Sequence, residues 1–338
     1  MTVWFAQNST VNINSANEWN DIAAGSGNAL TWANLAAGDI LCANGKTAIA
    51  VNVAVTCLRI STFAEVGSSD TGTTGGEFTC AGTIAITANV RAGSTPCLVI
   101  ANGAVVTGIG DSTGGESVSA HGISTSGTVT ATNATGGAGL YAYGITVGAA
   151  TAIITVTGTA TGGAGYGAEG VSIGYALSST ASNIANAVGS PTMAGAHGLG
   201  ANSSFTVTVG NAKGGGVFGA NGVSSASATI VLNGTDLTGV GYPVAVSGTA
   251  SLKVAAGVPL QFSNAAGALK VFCPVPALGT VKQDTVVYTS AAGSVYGTRV
   301  DADKADVKAG VKYGDPDNQL TGELVASGVR RGGALRGA

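Results

Sequence analysis

The chain is short of charge, of aromatic rings and of histidine. Charged residues make up 9% of its 338 positions, aromatic residues 5%, and there are two His. The formal net charge of −3 is too small to point to nucleic acid or to an acidic partner. Between Arg91 and Lys213 there is no Lys or Arg, and the acids are Asp111, Glu116 and Glu169 alone. No stretch of eighteen apolar residues runs unbroken by Gly, Ser or Thr, so no membrane span is expected. The start, Met1-Thr-Val-Trp-Phe-Ala-Gln-Asn, has neither the basic beginning nor the apolar stretch of a secretory leader. Cys42, Cys57, Cys80, Cys97 and Cys273 are odd in number and lack C-x-x-C spacing. They are expected to be small buried hydrophobes of a chain made in a reducing cytoplasm, not a disulfide framework.

What the chain has in quantity is Gly, at 55 residues, within an apolar content of 45%. Gly does not fall at every third position, which excludes collagen. Val and Ile set between Thr and Ser suit a pleated, half-buried surface, so strands are predicted and disorder is not. Charge gathers at one end. Residues 282–338 carry eight of the fourteen basic groups and seven of the seventeen acids. The middle is a nearly neutral body, which fits a protein held in an assembly.

A repeat organises that body. Ala-x-Gly-apolar recurs as Ala120-His-Gly-Ile, Ala142-Tyr-Gly-Ile, Ala168-Glu-Gly-Val, Ala196-His-Gly-Leu and Ala220-Asn-Gly-Val. Seven residues before each Ala a turn begins: Thr113-Gly-Gly, Thr135-Gly-Gly, Thr161-Gly-Gly, Gly189-Ser-Pro and Lys213-Gly-Gly. A sixth, worn copy is expected from Thr238 to Ala245. Start-to-start spacings are 22, 26, 28, 24 and 25 residues. After each Ala-x-Gly comes an alternating stretch, such as Thr128-Val-Thr-Ala-Thr or Phe205-Thr-Val-Thr-Val, with Val on one face and Thr on the other. One unit cannot bury its own apolar face, so the units must stack. Parallel strands about 4.8 Å apart would give six copies a rise of roughly 29 Å. Gly at the corners supplies positive φ or room where a Cβ would not fit, and the Ala is expected to point inward. Drift in repeat length rules out the strict left-handed hexapeptide form. Helical repeats fail on the Gly and β-branched content. The prediction is an all-β, right-handed parallel β-helix.

Three regions follow: an N-terminal cap or arm over 1–32, the β-helix over 33–262 with regular coils from 113, and short β elements with a polar tail over 263–338. Ile49-Ala-Val, Ile84-Ala-Ile and Leu98-Val-Ile read as strands of less regular early coils. All three Trp fall at positions 4, 19 and 32. They form either the apolar plug that an open solenoid end needs or, at Trp4 and Phe5, an anchor into a neighbouring subunit. Asp301 to Ala309 could make a helical turn or two, and Lys312-Tyr-Gly-Asp-Pro is a turn. Candidate assembly contacts are Trp4, Phe5, Trp19, Trp32, Tyr313, Arg330 and Arg331.

The search for chemistry finds little. His121 and His197 occupy the x of Ala-x-Gly three coils apart, about 14 Å by strand spacing. That is too far to share a metal or a proton. Tyr143, Glu169 and Asn221 complete their column, a mixture expected of a solvent-exposed row. Glycoside hydrolysis needs two carboxyls about 5–10 Å apart. Glu116 and Glu169 sit at different places of the unit, two coils apart, with no Lys or Arg near them in the repeat. Gly214-Gly-Gly-Val-Phe-Gly lacks the Lys-Ser/Thr of a phosphate loop. The turns lack the Asp of calcium-binding rolls. Arg330, Arg331 and Arg336 read as a solvated tail more than as a nucleic-acid contact. No catalytic residue, cofactor or metal is expected.

Two segments carry a resemblance. Trp19-Asn-Asp-Ile-Ala through Gly38-Asp-Ile-Leu-Cys-Ala-Asn-Gly-Lys-Thr, followed by the Thr-Gly-Gly coils, resembles Gly-rich β-helical proteins of tailed bacteriophages. Ala305-Asp-Val-Lys-Ala-Gly-Val-Lys-Tyr-Gly with Leu320-Thr-Gly-Glu-Leu resembles a short module at the ends of phage virion proteins. The resemblance implies a non-enzymatic virion structural protein on the capsid surface, commonly a homotrimer. Its partner would be the major capsid protein or another virion protein, and it would act as a decoration (cement) protein. A receptor-binding spike or fibre is the alternative, with Tyr141, Tyr143, Tyr166 and Tyr175 as glycan-stacking candidates. A surface-array or ice-binding β-helix is the third.

Overall fold

In the computed structural model the described residues are 1–62, 75–178, 181–234, 239–246 and 250, with a few short strands placed outside them. They form two stacked parallel sheets, a β-solenoid, and the one helical piece among them is the single 3-10 turn Trp32–Asn34. The chain divides into two compact units, Met1–Ala265 and Ala266–Ala338. In the second, Tyr288–Thr289 pairs antiparallel with Val295–Tyr296, and Lys312–Tyr313 with Leu320–Thr321. Lys312 and Tyr313, expected in a turn, are strand residues here, and the rest of that expected turn lies outside the described residues. Residues 301–309, with the helix expected there, lie outside the described residues.

Each regular coil contributes a three-residue strand to a nine-stranded sheet and a longer strand to a fourteen-stranded one. Ile123–Thr125, Ile145–Val147, Val171–Ile173, Leu199–Ala201, Val223–Ser225 and Val244–Val246 succeed one another in the short sheet. Register aligns Ile123, Ile145, Val171, Leu199, Val223 and Val244 in one fully buried column. Thr83–Arg91, Val105–Thr113, Thr128–Thr135, Ile153–Thr161, Asn183–Val188 and Thr206–Lys213 form the long sheet. Their alternation buries Val129 and Ala131 or Ile154 and Val156, and turns the intervening Thr outward. The Ala of every repeat (Ala120, Ala142, Ala168, Ala196, Ala220) is fully buried.

The sixth copy departs from the expected alignment. Thr238 does pair with Lys213, at the start of the turn. Ala245, however, pairs with Ser224 in the short sheet, not with Ala220. Gly241 lies against Ala220 instead, so this turn is cut short and the Ala is replaced by Gly.

Most long strands slip register halfway, for instance between Ala131 and Ala134 or between Val156 and Thr159. A polar ladder occupies this bend. The Asp111 N–H donates to Asn89 Oδ1 at 2.9 Å, and Asn133 Nδ2 to Asp111 Oδ1 at 2.8 Å. Thr159 N–H donates to Asn133 Oδ1 at 2.8 Å, and Asn211 Nδ2 to Asn186 Oδ1 at 2.9 Å. The ladder satisfies backbone groups that the slip removes from the sheet.

The Gly pair of the turn is there for space. A Cβ on Gly136 would overlap the Ala168 carbonyl of the next coil, and one on Gly137 the Gly115 carbonyl of the previous coil. Positive φ is needed at a different place, the residue before the inward Ala. Ser119, Tyr141, Gly167, Gly195 and Gly219 all have φ between 53° and 85°.

The solenoid starts earlier than residue 33. Val3–Ala6 pairs parallel with Ile40–Cys42, and Trp19–Asn20 covers its outer edge antiparallel. An edge strand of only two residues ends the parallel stack and offers little template for further addition. Cys42, Cys57, Cys80 and Cys97 are buried. Burial pushes the Cys57 and Cys80 thiols up to about 12, so they act as apolar packing groups. Cys273 lies outside the described residues.

Candidate functional sites on the solenoid

Trp19 is a core residue. It is 1% exposed, its ring stacks on Phe78 with centroids 6.2 Å apart, and its Nε1 donates to the Ile13 carbonyl at 2.7 Å. It plugs the end of the solenoid and is not available as an assembly contact. Trp4 is half-buried, and its Nε1 donates to Asp39 Oδ2 at 3.0 Å. Asp39 also accepts from the Thr2 and Ala36 N–H groups. Burial raises the Asp39 carboxyl, but these three hydrogen bonds outweigh it and the net shift is downward. An ionised Asp39 thus ties the first strand to the next coil. Phe5 and Trp32 are half-buried. Tyr313 pairs through its backbone with Leu320, while Arg330 and Arg331 lie outside the described residues.

The x column of Ala-x-Gly is not an exposed row. His121, Tyr143, Glu169, His197, Asn221 and Tyr242 follow one another along the short sheet. Adjoining N–H to C=O bonds of 2.9–3.1 Å, such as Gly144 to Glu169 and Gly170 to His197, link them. Glu169 and Asn221 are each only 7% exposed, and both His are half-buried. The His121 and Tyr143 rings stack with centroids 4.8 Å apart and 6° between planes. The Tyr143 N–H donates to His121 Nδ1, and the Asn221 N–H to His197 Nδ1 at 3.1 Å. Asn221 Oδ1 accepts from Tyr242 N–H in the same manner. Flat side chains at the strand spacing cover each other, which is why polar identity failed to forecast exposure.

Burial moves His121, Tyr143, Glu169 and His197 towards their neutral forms. Both imidazoles are pushed down to about 4, in accord with Nδ1 acting as an acceptor. The Glu169 carboxyl is pushed up to about 7, opposed in part by a hydrogen bond with Ser172. Glu169 Oε2 has no hydrogen-bond partner among the described residues. Gly200 of the next coil leaves the space for this carboxyl, since a Cβ there would overlap all of its atoms. Tyr143 is raised by burial and then by the neighbouring Glu169 charge.

A cleft of about 380 Å³ opens beside the turns of the early coils, lined among others by Arg59, Asn89, Arg91, Asp111, Glu116 and Gly137. The repeat put no Lys or Arg near the acids. The structure corrects this, because the long sheet sets Arg59 beside Asn89 and Arg91 beside Thr113. Asp111 is engaged by Asn133 of the bend ladder. The combination offers hydrogen bonds and both signs of charge to a polar ligand. Among the described residues no three His, Cys, Asp or Glu side chains group so as to hold a metal ion. No described helix is long and apolar enough to cross a membrane.

The third feature is apolar. Two residues before the buried Ala, successive coils place Val118, Leu140, Tyr166, Ala194 and Phe218. Val118 is 63% exposed, Tyr166 58% and Phe218 63%, and Val240 of the shortened turn is 56% exposed. Backbone bonds from Ser119 N–H to Leu140 and from Tyr141 N–H to Tyr166 keep neighbours of the stripe aligned. Tyr141 packs edge-on against Tyr166, with centroids 6.1 Å apart, and its ring fills the space above Gly167. The ring is held there at a cost. Tyr141 has φ of 53°, a conformation the next three coils give to Gly. No family model matches the chain, and neither any curated protein nor any solved structure matches it.

Proposed function

We propose that this chain is a virion surface structural protein of a tailed bacteriophage, a capsid decoration protein that works by contact and not by catalysis. The observation that carries the proposal is the exposed apolar stripe along a flank with almost no charge. Contiguous exposed apolar surface of this extent is often a contact site. Around it the body is near-neutral, and its Gly turns seat backbone against backbone, which stiffens the stack of coils. A decoration protein of this type would bridge neighbouring shell subunits through many small contacts. The resemblance of the opening segment and of the Ala305–Gly314 module to phage virion proteins supports the same reading. Particles stripped of the chain should lose resistance to heat and low salt, and adding the purified chain back should restore it. Equal resistance with and without the chain would count against the proposal.

A receptor-binding spike that recognises glycan is the second reading, favoured by the mixed-charge cleft. Its 380 Å³ is at the lower end of small-ligand sites. Binding of a host oligosaccharide, lost in Arg91→Ala, would favour the spike.

A further inference from the structure

The exposed stripe extends the reading of the flank as an assembly surface, because its spacing specifies what can cover it. We infer that the Val118–Leu140–Tyr166–Phe218 stripe is a seam between copies of this chain, and that a second solenoid is its occupant. The inference rests on the stripe being an assembly surface, but not on the identity of the particle.

Three observations converge on a second copy. The first is charge. From Ser117 to Ala212 the chain carries Glu169 as its sole charged side chain, and that one is buried under its own column. Two identical surfaces repel when they carry net charge of one sign, and this one carries almost none. The second is area. Val118, Leu140, Tyr141, Tyr166, Phe218 and Val240 are 41–63% exposed. At about 150–200 Å² for a whole side chain, they offer roughly 600 Å². A standard interface buries about 800 Å² per partner, so the stripe supplies the apolar centre and needs only a polar rim. The third is period. The stripe presents one apolar group per coil, at about 4.8 Å, interrupted at Ala194. A second copy carries the same spacing by construction and can place a large ring against the small Ala194.

The stripe is poorly suited to sugar. Val118, Leu140, Phe218 and Val240 have no side-chain group to hydrogen-bond a hydroxyl, and of its two tyrosines Tyr141 sets its ring edge-on against Tyr166.

The test uses the full chain, purified, with its mass measured by light scattering at micromolar concentration. Wild type should be a defined oligomer of two or more copies. Tyr166→Lys with Phe218→Lys should weaken association roughly a thousandfold, two central anchors being lost. Circular dichroism should stay unchanged and the thermal midpoint at low concentration should fall by no more than a few degrees, because each ring gives up only an edge-on contact within the chain, Tyr166 with Tyr141 and Phe218 with Tyr242. Tyr175→Lys, exposed but off the stripe, should leave the mass unchanged. A monomeric wild type would overturn the inference, as would a double variant that stays oligomeric or an equal effect from Tyr175→Lys. A monomeric wild type whose stripe variant nonetheless loses its hold on particles would refute self-association and leave the assembly reading standing. A chain that self-associates through the stripe yet never joins a particle would do the reverse.

Discussion

Two columns run along the same coils and treat polarity in opposite ways. On the short sheet a carboxyl, two imidazoles and an amide are withdrawn from water. Two or three residues earlier in each coil, Val, Leu, Tyr and Phe stand in it. In a globular domain a residue's polarity largely decides its burial. In a solenoid the neighbours 4.8 Å above and below decide it, because a flat side chain is covered by its equivalent in the next coil. The polar column is closed by its own members. The apolar stripe is left for something else to close.

The largest way to break both columns is to force two coils apart. Gly137→Ala would set a Cβ against the Gly115 carbonyl and the Gly114 backbone of the previous coil, which cannot swing away as a side-chain end can, and should cost about 3 kcal/mol or more, read as a lowered denaturant midpoint. The next effect has the opposite sign. The Glu169 carboxyl ionises near pH 7 when folded and near 4.5 when unfolded. Its contribution is therefore intact at low pH and is lost as pH rises through this window. Glu169→Gln removes that loss and should stabilise the chain by about 3 kcal/mol at pH about 8, with little effect at pH about 4. Urea titrations at the two pH values check it.

The imidazoles give a limb of the opposite sign on the acid side. Their folded values near 4 lie below the ordinary 6.5, so their contribution is present above 6.5 and is lost as pH falls towards 4. Protonation also removes the Nδ1 acceptor from the Asn221 N–H. His197→Asn copies the arrangement of Asn221 under Tyr242 and should flatten this limb, as thermal midpoints across the range would reveal. The smallest effect belongs to the open stripe. Phe218→Lys gives up an edge-on contact with Tyr242, 5.5 Å between centroids, and should change the stability of the isolated chain by no more than about 1 kcal/mol.

The fold was legible because the repeat joins two signals at a fixed offset, a Gly turn and Ala-x-Gly, and only stacking satisfies both. The inward Ala followed directly. What one coil's sequence cannot display is the side-chain contact between coils. The x column looked exposed because its residues are mixed, while their burial comes from His121 on Tyr143 and from Gly200 under Glu169. Arg59 and Arg91 met Asp111 and Glu116 only through sheet register. The bend ladder did leave a trace, as Asn133-Ala, Asn186-Ala and Asn211-Ala just before the turns at Thr135, Gly189 and Lys213. The stripe left one as well, once turns are aligned on the buried Ala. Ala245 misled because the last turn is shortened, and a worn copy offers no second marker to fix the offset.

The proposed role stands or falls on where the chain is found. Quantitative mass spectrometry of purified particles should show it at a copy number comparable with that of the shell subunit. A chain absent from the particles, or present in only a few copies, would contradict a decoration protein.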